Sequence, residues 1–320
     1  MNILITGSTG LLGRHLVASL KPSGHRLRAL VRTLPAPGFL HELECVEGDV
    51  EIPESLVPAF AGVDLVIHAA ALVSFDPRDR ERLHAVNAMG TRNVVDACLQ
   101  NRVPRLLLVS SVAAVGGGGK ADAGILSEDT PSSPDEPVSA YAQSKFESEL
   151  EAFRGAAEGL KIQIINPSVI LAPAAPDRSS GRLVSYVSKG PAFHTSGMLN
   201  VVDVRDVVDV LIRLIGSEGH WEERFILSAA ALPWREFLTQ AARRTGRKPP
   251  WISAPKAAVY AAAFCARWWA ACLGRPAHLT MESARAAFGR RVYEGSKISR
   301  LLGARYRTMD ETMDWIFGNP

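Results

Sequence analysis

Short apolar strands alternating with amphipathic helices, and a glycine-rich turn between the first strand and the first helix, predict an α/β fold. The expected architecture is a doubly wound parallel sheet with helices on both faces, followed by a smaller, mostly helical C-terminal part. With 320 residues, 47% hydrophobic and 22% charged, the chain can bury such a core and does not have the composition of a disordered protein.

The elements follow in order. Residues 3–6 read as a strand, 11–20 as a helix, 27–31 and 45–48 as strands, and 64–68 as a buried apolar run. Residues 81–100 have helical periodicity, 106–110 form a strand, 140–154 a helix and 162–166 a strand. Two loops break the rhythm. Residues 116–137 hold a glycine run and Pro131, Pro134 and Pro137, so they cannot be one regular element. Residues 172–180, rich in Pro, Ala and Ser, read as a linker or flexible rim. Residues 199–215 read as a short strand and a helix that Asp206 can cap. The remainder is expected to be mostly helical.

The bulk properties exclude several classes. A net charge of +3 is too small to argue for nucleic acid or an anionic membrane surface as a partner. Cys45, Cys98, Cys265 and Cys272 form no CxxC pair and have no histidine cluster beside them, so no metal site is expected. Cys265 and Cys272, seven apart, share a helix face and read as small packing residues rather than a redox pair. A reducing, cytoplasmic location fits these thiols and the lack of a secretory signal pattern. The apolar run 257–273 contains Arg267 and is marginal for spanning a bilayer, which argues against membrane association.

The turn Gly7-Ser8-Thr9-Gly10-Leu11-Leu12-Gly13 ends a strand and opens a helix. Glycine permits the tight turn and close backbone approach, and the helix start offers free N–H groups and a partial positive charge to a pyrophosphate. Gly7, Thr9, Gly10, Leu11, Leu12 and Gly13 are therefore candidate contacts of a dinucleotide in a Rossmann-type fold. An acid at the end of the second strand would bind the 2′-hydroxyl of NAD. Here stands Val31-Arg32, with no nearby acid and with Arg28 able to add positive field, which favours NADP(H) and leaves NAD(H) open. Asp49 and Val50 are candidates for the adenine edge, or Asp49 is a turn former after Gly48. Ala69, Ala70 and Ala71 would let a cofactor lie against backbone, or are helix-start packing.

Tyr141 and Lys145, at i and i+4, share one helix face. A nearby ammonium would lower the tyrosine pKa from its usual value of about 10, making Tyr141 an acid–base group for a carbonyl. Ser110 and Ser111 end the preceding strand, where Ser111 can hydrogen-bond a substrate carbonyl. Asn87 can order a water chain near Lys145, or is a solvent-facing helix residue.

In this order the motifs resemble the extended short-chain dehydrogenase/reductases. They are the glycine loop, Asp49-Val50, His68-Ala69-Ala70-Ala71, Asn87-Ala88-Met89-Gly90-Thr91, Ser110-Ser111 with Gly116 five residues on, and Tyr141…Lys145. Asn166-Pro167-Ser168-Val169-Ile170 and the run 201–207 extend the likeness across most of the first 215 residues. The resemblance implies that Ser111, Tyr141 and Lys145 are catalytic, with Asn87 supporting them. It implies cofactor contacts from Ser110, Tyr141 and Lys145, and from the backbone of Pro167, Ser168 and Val169 at the nicotinamide end. It implies an NAD(P)-binding domain over 1–170 and a substrate-binding domain over 171–320, with part of 199–227 returning to the first. A homodimer is plausible because family members often form one through two long helices.

Within the family, the segment from Asn166 looks like the dihydroflavonol 4-reductase and 3β-hydroxysteroid dehydrogenase side, although Ala172 stands where a glycine is common. That likeness implies hydride transfer to or from a ketone, aldehyde or alcohol on an apolar small molecule. A nucleotide-sugar epimerase or dehydratase is the alternative. A non-catalytic NADP-binding regulator is a third reading, against which the retained Tyr and Lys weigh. In the substrate half, His194 is a substrate contact or a surface-loop residue. Tyr260, Phe264, Trp268 and Trp269 read as core or pocket wall rather than a membrane face. Arg285, Arg290 and Arg291 read as a solvated helical face.

Overall fold

The computed structural model describes residues 1–34, 38–116, 123–131, 139–173, 179–272 and 279–318. Most of the two expected loops, residues 116–137 and 172–180, lies outside these ranges.

The strands come in the expected alternation: β1 (Asn2–Thr6), β2 (Arg26–Val31), β3 (Glu44–Glu47), β4 (Leu65–His68), β5 (Arg105–Val109), β6 (Ala123–Leu126), β7 (Lys161–Pro167) and β8 (Val169–Leu171). Then follow β9 (Phe193–His194), β10 (Met198–Asp203), β11 (Glu223–Leu227), β12 (Ala230–Pro233), β13 (Ile252–Ser253) and β14 (Arg290–Tyr293). The larger helices of the first half are α1 (Leu11–Leu20), α2 (Pro53–Phe60), α3 (Arg80–Leu83), α4 (Gly90–Gln100) and α5 (Ala140–Ala157). The second half carries α6 (Ser179–Ser188), α7 (Val204–Gly216), α8 (Trp234–Arg244), α9 (Lys256–Cys272), α10 (Met281–Ala286), α11 (Ser296–Leu302) and α12 (Met309–Phe317).

Seven strands form one parallel sheet in the order β11-β7-β5-β4-β1-β2-β3. Chain order reverses beside β1, which opens a crevice at the carboxyl ends of β1 and β4. Strand alternation feeds two apolar layers. Ile3 and Ile5 join the core beneath α1 and α7, and Leu4 joins the opposite core beneath α2, α4 and α5. A third cluster, including Leu171, Leu199, Phe237 and Phe317, lies beneath α6, α8 and α12. β11 (Glu223–Leu227) joins the main sheet through β7.

Three local expectations change. α7 is capped by Asp203, whose carboxylate accepts from the Arg205 N–H; Asp206 lies inside the helix, buried, and is paired with Arg307. α2 has no counterpart in the sequence reading, although Pro53 at its first turn and the buried Leu56, Ala59 and Phe60 mark it. Arg285 lies on α10, but Arg290 and Arg291 lie on β14, which pairs with β6, so the three do not form one helical face.

Candidate active site

The glycine loop needs its glycines for different reasons. Gly7 has φ +70°, and a Cβ there would stand 2.6 Å from the Ala69 carbonyl carbon. Gly13 is tighter: its Cβ would lie 2.2 Å from the Gly7 carbonyl oxygen and 2.7 Å from Ser8 Cα. Gly10 closes the turn by donating its N–H to Gly7 O at 2.9 Å. α1 then begins with no side-chain cap and no acid in its first turn, so its first N–H groups are left for an anion. The buried Ser8 hydroxyl has no partner among the described residues. Bare helix start, glycine cradle and orphaned hydroxyl fit the phosphates of a dinucleotide.

Arg32 follows β2, is exposed, and makes no hydrogen bond or ion pair among the described residues. Arg28 is committed elsewhere, to Glu44 at 2.9 Å and to the carbonyls of Ala59 and Ala61, so it does not add a free charge beside Arg32. Asp49 Oδ1 accepts from Glu51 N at 3.0 Å, a turn-forming contact, and Val50 is buried against Gly90. Ala69, Ala70 and Ala71 are in no helix; the Ala69–Ala70 backbone packs on Gly7.

Ser139 caps α5 by accepting from Ala142 N at 3.0 Å, and so fixes the start of the helix that carries Tyr141 and Lys145. Ser111, in extended backbone after β5, accepts from Ala113 N and lies close enough to Tyr141 to act on its pKa. The Phe75 ring meets the Tyr141 ring edge-on at 6.1 Å. Burial pushes the Tyr141 pKa up, and Ser111 acts against that rise. The expected lowering by Lys145 is not the governing influence. Lys145 is buried, donates to Val109 O at 2.8 Å, and has its pKa lowered to about 8 by burial, with Glu149 opposing.

Asn87 is not solvent-facing. It is buried in a π-helical turn, His84–Met89, inside the expected helix. Its Oδ1 accepts from Leu72 N at 2.8 Å, and its Nδ2 donates to Leu72 O and Ser144 Oγ, each at 2.9 Å. Both amide hydrogens are therefore used to pin the loop after β4 against α5, and neither is left for a water chain.

Behind this lies a chain of bonds that the sequence reading did not assign. Ala70 N donates to Thr6 Oγ1, which meets His68 Nδ1 at 2.7 Å; His68 Nε2 meets Thr91 Oγ1 at 3.1 Å, and Thr91 donates to Asn87 O at 2.6 Å. Because Thr91 spends its proton on Asn87, His68 must present Nε2–H to it and accept at Nδ1, the neutral tautomer. Burial, with the Lys145 cation beside it, lowers the His68 pKa to about 3. Thr6 and His68 are paired across β1 and β4, at the floor of the crevice.

A second unassigned group is Glu149, one turn after Lys145 and buried. It accepts from Asn166 Nδ2 at 2.6 Å and from Arg224 at 3.4 Å, while Asn166 also donates to Ser111 O at 2.9 Å. Burial raises its pKa against the opposing effects of Ser110, Arg224, Asn166 and Lys145. The signal was in the spacing: Tyr141, Lys145, Ser148 and Glu149 stand at i, i+4, i+7 and i+8 on one helix face. Ser110 is buried close enough to Glu149 to lower its pKa, although its hydroxyl makes no hydrogen bond of good geometry among the described residues. Pro167 ends β7, Ser168 N is taken by Leu227 O at 2.9 Å, and Val169 is exposed, so the Ser168 N–H is not free for a nicotinamide. Ala172, in the glycine position, is buried in the core.

The aromatic residues expected as core or pocket wall on α9 are not core. Phe264, Trp268 and Trp269 are exposed, and Tyr260 is half-buried against Phe288. Cys265 is exposed as well rather than packed, and the Cys272 side chain lies outside the description. His194 is half-buried in β9, with Nδ1 3.3 Å from Thr195 O.

A family model described as the NAD dependent epimerase/dehydratase family matches residues 3–223. The chain is 30% identical over 316 residues to a putative dihydroflavonol 4-reductase of Synechocystis sp., covering 93% of this chain and 88% of that protein. It is 30% identical over 259 residues to the sterol demethylase protein B of Methylococcus capsulatus, covering 80% and 78%. The crystal structure of the protein gox2253 superposes with a TM-score of 0.83 at 28% identity, covering 98% of this chain and 96% of that one.

Proposed function

Because the chain belongs to the NAD dependent epimerase/dehydratase family, we propose that it interconverts a carbonyl and an alcohol on an apolar small molecule, with NADP(H) preferred over NAD(H). It is an oxidoreductase of the extended short-chain dehydrogenase/reductase type. The observation that carries the proposal is the buried Tyr141, with Ser111 close enough to lower its pKa and Lys145, also buried, one helical turn on. The names of the two relatives, a flavonoid reductase and a sterol-processing protein, support an apolar substrate. Arg32, exposed and unpaired among the described residues, supports NADP(H).

A nicotinamide dinucleotide whose phosphates lay on the glycine loop would supply the hydride for reduction or take it up in oxidation. The residues do the rest. The Ser111 and Tyr141 hydroxyls hold the carbonyl oxygen. Burial keeps Tyr141 protonated at neutral pH, so it acts as the acid: the phenolic proton passes to the oxygen, the alcohol forms, and Tyr141 is left as phenolate. The Lys145 ammonium, charged below about pH 8, stabilises that phenolate from its anchor on Val109. Residues 171–320, apart from β10, α7 and β11, supply the substrate-binding part in this reading.

The test is calorimetric binding of NADP⁺ and NAD⁺ to the protein and to Arg32→Ala, followed by a screen of apolar ketones and aldehydes with NADPH. The proposal expects an NADP⁺ preference that Arg32→Ala removes, and turnover that Tyr141→Phe abolishes. Tight NAD⁺ retention with turnover of a nucleotide sugar would replace it with the epimerase reading. Binding without any turnover would leave the regulator.

A further inference from the structure

We propose that α9 and the adjoining Trp251 form a docking surface for an anionic lipid bilayer, on which the protein rests without crossing it. Positions 257, 261, 264 and 268 of α9 recur at i, i+4, i+7 and i+11, and 258, 262, 265 and 269 run beside them. All eight are apolar and exposed; alanines apart, they are Phe264, Cys265, Trp268 and Trp269. The opposite face is turned inward through Ala263, which is buried, and Tyr260, whose ring lies 6.3 Å from that of Phe288. The outer face of the helix is thus apolar, and among the described residues no other element covers it. Trp268 and Trp269 are 67% and 71% exposed, Phe264 58%, and Trp251 75%. Phe193, also exposed, sits on β9 in register with Ile252, the residue after Trp251. Large apolar side chains gathered outside the core mark an interaction surface.

Charge selects the occupant. From Phe237 to Met281 the chain has no Asp or Glu. Arg243, Arg247, Lys248, Lys256 and Arg267 are all exposed there, and among the described cations of this segment only Arg244 is neutralised, by Asp310 and Asp314 at 2.6 and 2.5 Å. The net charge of +3, averaged over the whole chain, conceals this local excess. Exposed cations on α9 (Lys256, Arg267) and in the segment before it (Arg243, Arg247, Lys248), with tryptophans towards the end of the helix, match anionic headgroups above an acyl boundary. A second copy in a two-fold contact would set the same cations against themselves. Among the described residues no helix is long and apolar enough to cross a membrane, so the contact is one of surface seating.

The test uses the full chain with vesicles of phosphatidylcholine alone and of phosphatidylcholine with phosphatidylglycerol, in cosedimentation and tryptophan-fluorescence assays that need no substrate and do not depend on the catalytic reading. The expected result is binding to the mixed vesicles that weakens with salt and is much weaker on phosphatidylcholine. Trp268→Ser with Trp269→Ser should lower the partition coefficient at least about tenfold. Trp251→Ser, made separately, should lower it in the same direction. Far-UV circular dichroism and dinucleotide affinity confirm that each variant is folded. Failure of the wild type to bind either vesicle, or binding of the folded double variant at wild-type strength, overturns the proposal. So does a dimer that the double variant converts to monomer without any vesicle binding, which would assign the face to a second copy.

Discussion

The Lys145 ammonium donates to the Val109 carbonyl at 2.8 Å, so the cation of α5 is tied to the carboxyl end of β5, one residue before Ser110 and two before Ser111. The bond holds the ammonium one helical turn from Tyr141, and burial lowers its pKa to about 8. Two consequences can be measured.

In the reductive direction, kcat should fall as pH rises through about 8, because the ammonium that supports the phenolate is lost. Lys145→Met should be slower by about 10²–10³ and lack that inflection. In stability, the folded state releases the Lys145 proton near pH 8, whereas the unfolded chain holds it to about 10.4. The wild type should therefore gain stability relative to Lys145→Met between pH 8 and 10, by up to about 1.4 kcal/mol per pH unit. Denaturant melts of both proteins across that window give the slope. Parallel curves would show that the site is wetter than described.

His68 makes the opposite edge of the pH range sensitive. Its folded pKa of about 3 lies below the unfolded value of 6.5, so the unfolded chain takes up the proton first on acidification. Stability should be lost as pH falls from 6.5 towards 3, at up to about 1.4 kcal/mol per unit from this residue. His68→Asn should flatten the acid limb, whatever its stability at pH 7. An unchanged slope would mean that other groups dominate acid unfolding.

Asn87 is a positioning residue, since its side chain reaches Leu72 and Ser144 rather than Tyr141. Asn87→Ala strands the Leu72 N–H and C=O and should cost about 2–3 kcal/mol. Its effect should fall on kcat more than on KM, and the inflection near pH 8 should remain. Disappearance of the inflection would instead place Asn87 in the proton path.

Glu149 tests the polar support behind Ser111. Glu149→Ala leaves Arg224 and the Asn166 amide without their carboxylate and should destabilise by about 3–5 kcal/mol. Glu149→Gln keeps an acceptor for Asn166 and should recover most of that loss. Equal losses in both variants would show that charge, not geometry, is what Asn166 and Arg224 require.

Gly13→Ala should be the most damaging single methyl in the glycine loop, because the added carbon meets backbone at 2.2 and 2.7 Å and neither atom belongs to a flexible side chain. Gly10→Ala meets only Gly7 O, at 3.1 Å, so its thermal midpoint should stay nearer wild type while dinucleotide affinity falls. Thermal melts and calorimetry on the two variants separate the effects.

The sequence alone determined the alternation of strand and helix, the glycine loop with helix α1 at residues 11–20, and the Tyr141/Lys145 face of α5, because these depend on periods and spacings within one short segment. Tertiary structure decided what depends on partners far along the chain. His68 reads as the end of a strand until Thr6 and Thr91, 62 and 23 residues away, close on its two nitrogens. Asn87 reads as a residue that orders water near Lys145 or faces solvent, until the π-turn carries it inward onto Leu72 and Ser144. Asp206 fits a helix cap until Asp203 takes that place and Arg307, 101 residues on, claims the carboxylate. The run around Trp268 has the composition of a core helix, and only the fold shows that nothing among the described residues covers its outer face. Periodicity states that a face is apolar; burial depends on whether another element arrives to cover it, and that is a property of the whole chain.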